Sequence, residues 1–330
     1  LLALVGPGDV ALGLVLFGIA NIAFDLGFLF CSAFLVELVS AQQMGRLSGY
    51  GWGLGYMGGL LSLALAFPFI SGGFAEANQP LYRLSFLVTA IFFLVSALPT
   101  FFWLKERAVP RPEEESRLSW RDTVVRLRGT FGQLRRYRDL FLYLIAYLIY
   151  TDAINTVIVA SGIFANKVLD FSPADLISYF LVTQVTAGLG AVSFGVVADR
   201  IGSHRTISIT LVAWVVVAVC AAAVQTKAQF YALGLVAGAI LGANQATSRA
   251  LLGRLTPIGK EAEFFSFFSV TGKFAAIVGP LVYGEVTAWT GSQRWAVLSM
   301  AGFFLLGLAC FQRVDEARGV ALAQETTPQP

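Results

Sequence analysis

The chain has 330 residues, 57% of them hydrophobic and only 13% charged, with a mean hydropathy of +0.72. Soluble domains carry nearer to 25% charge, so a soluble fold is excluded: too much apolar surface would be left facing water. The net charge is +3; one histidine (His204) and three cysteines (Cys31, Cys220, Cys310), each inside an apolar run, exclude a histidine-built metal or haem centre and a disulfide framework.

A bilayer core of about 30 Å needs about 20 apolar residues per helical crossing. Runs of that kind predict spans at residues 10–38, 47–70 and 81–104, then, after a polar gap, at 140–165, 174–198, 206–225, 228–252, 262–289 and 295–312. Leu1–Val5 reads as the end of a further apolar segment, and the chain is expected to be a fragment that lacks N-terminal helices. The last residues, 314–330, are expected to form a disordered cytoplasmic tail.

The gap from 105 to 138 holds Lys105, Arg107, Arg111, Arg117, Arg121, Arg126, Arg128, Arg135, Arg136 and Arg138. Basic loops stay on the cytoplasmic side. Counting spans outward from this gap predicts basic loops at Arg46, at Arg200 and Arg205, at Arg254 and Lys260, and at Arg313 and Arg318. The opposite loops hold only Lys167, Lys227, Arg294 and Arg83. Within the gap, Trp120, Val124, Leu127, Phe131 and Leu134 recur at helical spacing with arginines opposite, which predicts an amphipathic helix lying on the membrane surface. Membrane lipids are therefore expected partners, and nucleic acid is not.

Between the fifth and sixth spans lies Gly195-Val-Val-Ala-Asp199-Arg200-Ile-Gly202-Ser-His204-Arg205. Gly195 permits close helix contact, and Gly202 suits the left-handed backbone that ends a helix. Asp199 can accept from a neighbouring helix N-terminus, and Arg200 and Arg205 can grip phosphates or carboxylates. Inside the spans, Asp25, Asp152 and Lys273 are expensive, at about 2.5–3.5 kcal/mol each on insertion scales. With Asn155, Gln184, Asn244 and Gln245 they are candidates to line a solute or proton path, Asp152 being the first candidate to bind a proton or a substrate amine; equally, Asp25 or Asp152 paired with Lys273 would be a structural lock. Arg249 and Glu263, near the basic ends of their spans, are candidates for a gate or an interhelix pair. Gly51, Gly55 and Gly59 form small-xxx-small steps and predict a packing face. Gly279-Pro280 predicts a weak point in the eighth span.

The stretch from Gly195 to Arg205 resembles the G-x-x-x-D-R-x-G signature of the major facilitator superfamily. Further stretches narrow the resemblance: Ser48-Gly49-Tyr-Gly51-Trp52, Tyr150-Thr-Asp152-Ala-Ile-Asn155, Asn244-Gln245 through Arg249, and Glu263-Phe264 through Gly272-Lys273. They are similar to the vacuole-effluxer-like branch of that superfamily, whose fungal members export amino acids. The resemblance departs at Cys31 and Ser32, where the branch favours an aromatic and an asparagine. It implies an all-α membrane protein of major facilitator fold, about nine full spans of an expected twelve. Residues 1–104 would be an incomplete N-terminal half, 105–138 the basic loop and 139–313 a six-helix half. The implied activity is secondary active transport of a small-molecule solute, with amino acids and a proton as the expected solute and coupling ion and with no cofactor. The expected location is a multi-pass protein of the plasma membrane in a bacterium or of the vacuolar membrane in a fungus.

A non-transporting membrane receptor or scaffold on the same fold is an alternative, because fold does not fix function; a membrane-embedded aspartyl protease is a further rival, since Gly6-Pro7-Gly8-Asp9 matches that family's glycine-x-glycine-aspartate. Such an enzyme needs two aspartates sharing a proton, and Asp9 has no partner aspartate in the flanking spans. No G-x-x-x-x-G-K-[ST] phosphate loop occurs, which points to a gradient rather than ATP as the energy source.

Overall fold

The computed structural model describes residues 1–6, 8–70, 78–105, 137–257 and 259–325. Eleven α-helices are found among them, and no strand: α1 (Val10–Leu38), α2 (Met44–Ile70), α3 (Gln79–Trp103), α4 (Arg138–Leu169), α5 (Pro173–Ile201), α6 (Ser203–Ala223), α7 (Lys227–Leu255), α8 (Glu261–Phe274), α9 (Val278–Thr290), α10 (Gln293–Phe311) and α11 (Glu316–Glu325). Among the described residues nine stretches are long and apolar enough to cross a bilayer, α8 and α9 together counting as one. These are the nine spans predicted from hydropathy, with edges shifted by a few residues. The surface helix predicted around Trp120–Leu134 lies outside the described residues.

Local chemistry accounts for the ends. Ser172 and Asp175 form a capping box at α5, with Pro173 in the first turn, and Thr226 with Gln229 does the same for α7. Gly202, at φ 93°, separates α5 from α6 with no further linker. A Cβ there would clash with the carbonyl, so Gly202→Ala should cost about 1–2 kcal/mol, readable as a lower unfolding temperature in detergent.

The eighth span is broken. α8 ends at Phe274 and α9 starts at Val278. Pro280 explains the position: it has no N–H for the carbonyl of Ala276, and its ring crowds that carbonyl, so a continuous helix stops just before it.

Tight contacts follow small residues. α2 lies against α5 through Gly45, Gly49 and Gly53, where an added Cβ would strike Gly195, Ala191 or Val192. This corrects the predicted packing face. Gly51 instead makes room for the Arg249 guanidinium, Gly55 has nothing within 4 Å and Gly59 has only the Gln184 amide. Both glycine registers look alike in α2; the matching small residues on α5 select one. α5 and α7 meet the same way, with Gly190 against the Ala239 backbone and Gly242 against Ala187.

The packed core runs through α4, α6, α7 and α10, around Tyr143, Tyr150, Leu211, Trp214 and Phe304. α1 and α3 instead turn large apolar side chains outward, with Phe101, Phe102 and Trp103 all more than three-quarters exposed. That is the surface expected against lipid.

A second departure is α11, which occupies part of the segment predicted to be disordered. Arg318 grips Asp139 with two bonds of 2.7 and 2.6 Å, Asp139 also accepts the Asp315 N–H at 3.1 Å, and Glu316 bonds Arg254 at 3.0 Å. The segment's composition is polar, but its charges are complementary to the helix ends above it. Residues 326–330 lie outside the described residues.

Candidate functional site

At the end of the bundle nearest the basic segment, Asp199 joins two groups of helices. Its carboxylate, 4% exposed, accepts the Gly45 N–H at 2.8 Å and the Arg46 N–H at 2.9 Å, the unpaired donors at the start of α2. It also meets Arg254 at 2.9 Å and the Arg46 side chain at 3.7 Å. Gly195, one turn earlier on α5, lacks the Cβ that would hold Gly45 and Gly49 away. Arg254 passes the contact on to Glu316, whose second oxygen accepts the His204 N–H at 2.8 Å. The signature loop, α2, α7 and α11 thus form one charged cluster. Arg200 and Arg205 are exposed and have no ion pair among the described residues. Sequence reading missed Arg254 and Glu316 as members of this cluster. Their only local signal is membership of basic and acidic loop ends.

One turn deeper, Arg249 donates to the Ser48 hydroxyl at 2.9 Å and to the Ser48 carbonyl at 2.8 Å, with its guanidinium 5.9 Å from the Trp52 ring centre. The Ser48 hydroxyl donates onward to the Ala246 carbonyl at 2.6 Å. Tyr56 bonds Gln245 one turn further along the same seam. Arg249 therefore ties α7 to α2. It does not meet Glu263, whose Oε1 is buried without a hydrogen-bond partner among the described residues. Glu261, two residues before Glu263, accepts the Gly259 N–H at 2.8 Å.

Asn244 and Gln245, adjacent in sequence, part company. Asn244 is 2% exposed and donates to Thr210 at 3.1 Å, while Ser248 reaches Asn244 at 3.4 Å and Tyr150 at 2.9 Å. Asn244 lies inside the helix packing and not in an open path. The turn of about 100° between helical neighbours puts 244 and 248 on the core side, and 245 and 249 toward α2.

Mid-span, Lys273 of α8 pairs with Asp25 of α1 at 2.9 Å. Lys273 is 62% and Asp25 33% exposed, so the pair lies outside the packed core. Asp152 does not join it. Asp152, 4% exposed, accepts the Gly279 N–H at 2.7 Å, while its Oδ1 has no partner among the described residues. Asn155, one turn along α4, donates to the Ala275 carbonyl at 2.5 Å. The break between α8 and α9 leaves a free carbonyl at the end of one half-helix and a free N–H at the start of the next. Asn155 and Asp152 satisfy one of each, which is how non-helical backbone is tolerated at membrane depth.

Gln184 lies apart from these groups. It sits in the wall of a half-open cavity of about 400 Å³ between α2, α4, α5, α6 and α7, reaching from mid-span toward the end far from Asp199. At the start of α1, Asp9 accepts the Gly6 N–H at 3.1 Å.

Comparison with known proteins adds the context. The profile of the family described as vacuole effluxer Atg22 like matches residues 32–324. The chain is 28% identical over 321 residues to the Bacillus subtilis (strain 168) protein named uncharacterized MFS-type transporter YxiO, covering 96% of this chain and 74% of that one. It is 27% identical over 297 residues to autophagy-related protein 22 of Kluyveromyces lactis, covering 84% of this chain and 60% of that one. Among solved structures, the major facilitator superfamily transporter FucP in the outward conformation superposes with a TM-score of 0.62 at 15% identity, over 86% of this chain and 72% of FucP. The human organic anion transporter MFSD10 does so at 0.56 and 16% identity, over 87% and 83%. At these identities the two structures speak for the fold alone.

Proposed function

The chain belongs to the vacuole effluxer Atg22-like family and has the major facilitator fold, and from that premise we propose that it moves a small solute across a membrane by alternating access. The observation that carries this reading is the Asp25–Lys273 pair. It joins α1, before the basic segment, to α8, after it, near the middle of both spans. Two opposite charges at that depth are costly, and such residues mark solute and ion pathways. A solute or proton that competes for either partner would release one helix group from the other.

The ties of Asp199 and Arg249 to α2 hold the basic end together, while the cavity lies toward the opposite end. In this reading the helices before and after the basic segment are two bodies that rock about the seam, and the structure is the form closed at the cytoplasmic end. Asp25 and Lys273 are the groups for which a solute or coupling ion would compete. Amino acids are the proposed solute class, following the family's fungal members, and a proton gradient is the proposed driving force.

Reconstitution into proteoliposomes tests it. Preloaded amino acid should accelerate entry of the labelled amino acid, saturably. Asp25→Asn and Lys273→Met should each lower that exchange at least about tenfold while leaving the protein folded, because each breaks the same half-exposed pair. Saturable exchange that is untouched by both substitutions removes the pair from the mechanism. Exchange absent for every solute tried sinks the transport reading.

A further inference from the structure

We propose that the cleft at the basic end of the bundle, where α4, α6 and α11 start and α10 ends, holds the phosphate of an anionic membrane lipid, whose acyl chains lie along the outer faces of α4, α6 and α10. Such a site stands whether or not the chain moves a solute.

The cleft has a volume of about 610 Å³ and opens to the surface. Four basic or ionisable donors line it: Arg138, the first residue of α4; His204, the second of α6; Arg313, in the link after α10; and Arg318 of α11. Asp315 and Glu316 are the acids of the lining, and both are engaged within the protein. Glu316 accepts from Arg254 with one oxygen and from the His204 N–H with the other, and Asp315 accepts the Arg318 N–H at 3.0 Å at the start of α11. Arg318 in turn is held by Asp139. Arg138 and Arg313 differ from these: they are exposed and have no ion pair among the described residues.

Two guanidinium groups without a counter-charge thus border one cleft. The starts of three helices converge on it as well, and each adds the partial positive charge of its first turn. Arginine binds phosphate through paired N–H donors in a fixed fork. Basic pockets between spans, at the level of the membrane surface, take lipid headgroups. His204 stacks on Phe311 with ring centres 4.7 Å apart, which fixes one wall of the cleft.

The surface deeper in the membrane points to a lipid rather than a soluble anion. Arg138 and Ile145 lie seven residues apart on α4, and so do Gln312, at the cleft, and Leu305 on α10. Two turns of helix return to the same face. On α6, Ser208 accepts from the Gln312 amide at 2.8 Å, and Val212 follows one turn later. Ile145, Leu305 and Val212 are 52%, 53% and 51% exposed. Each of the three helices therefore sets an exposed apolar side chain about 6–10 Å deeper than a polar one. A phospholipid presents its groups in that order, headgroup first and acyl chain below. Phosphatidylcholine suits the cleft less well than an anionic lipid, because its ammonium would be brought against the same arginines.

Titration of the purified chain in neutral detergent with fluorescent phosphatidylglycerol or phosphatidylcholine tests the site. Phosphatidylglycerol should bind saturably and at least about tenfold tighter than phosphatidylcholine. Arg138→Gln and Arg313→Gln should each weaken it by about fivefold, and the double variant by the product of the two. Unfolding temperature should hold in all three, because neither arginine has a protein partner to lose. Lys105→Gln combined with Arg200→Gln removes the same charge elsewhere at the basic end and should weaken binding by less than about twofold. Equal losses in the two double variants would mean diffuse attraction and overturn the site. Equal affinity for the two lipids would also overturn it. So would release of bound phosphatidylglycerol by inorganic phosphate at millimolar concentration, which would assign the cleft to a soluble anion.

Discussion

Asp199→Ala is expected to lower the stability of the structure by about 3 kcal/mol, because it removes the central acceptor of a buried, charge-assisted cluster and leaves two backbone N–H donors bare. Four groups converge on that carboxylate: two backbone N–H donors of α2, Arg254 and, at longer range, Arg46. Removing it strips the start of α2 of its acceptor across the seam and leaves Arg254 with Glu316. The effect should go beyond unfolding temperature. A single cysteine placed at Gly253, under Leu35 and Met44 on the same seam, should react faster with a water-soluble thiol reagent once Asp199 is gone. Glu316→Gln is the control. Glu316 is more exposed than Asp199, and Arg254 keeps its main partner, so the loss should stay below about 1 kcal/mol. Equal effects of the two changes would show that the seam is not held through Asp199.

Asp152→Leu should cost a similar amount, again about 3 kcal/mol, and abolish transport. The new side chain is close in size but accepts nothing, so the Gly279 N–H is left buried and bare, worth about 1–3 kcal/mol, at the start of a half-helix whose positive end loses its anion. Asn155→Leu should act on the other side of the break by exposing the Ala275 carbonyl. The two changes touch one structural feature, so their effects should fall short of additive by at least about 0.5 kcal/mol in a double-mutant cycle. Asp152→Asn separates structure from charge. Its amide oxygen still accepts from Gly279, so stability should hold, and the pH profile of transport reports whether the charge itself takes part. Unchanged stability in Asp152→Leu would remove the carboxylate from the support of the break.

Part of this architecture is legible in the amino-acid order alone. The nine spans follow from apolar runs of bilayer length, and the basic gap at 105–138 from composition. The junction of α5 and α6 follows from Gly202, and the starts of α5 and α7 from the capping residues Ser172 and Thr226. The role of Asp199 as an acceptor for a helix start is legible as a capability. Which helix start it meets is not.

The partners of the intramembrane charges show the limit most clearly. Asp25 and Asp152 look equivalent as acids in apolar runs, and Lys273 is available to both. The fold pairs Lys273 with Asp25 and gives Asp152 to the backbone of α9, because α4 packs against the break and α1 against the helix before it. Likewise Asn244 and Gln245 read as one polar patch, and rotation of the helix sends one into the core and the other to α2. The glycines of α2 offer two equal registers until α5 supplies the matching small residues. Apolar length, charge asymmetry and turn chemistry act along the chain within a few residues, so the amino-acid order alone determines them. Partner choice depends on which faces meet across long stretches of intervening chain, and only the packing of whole helices decides it.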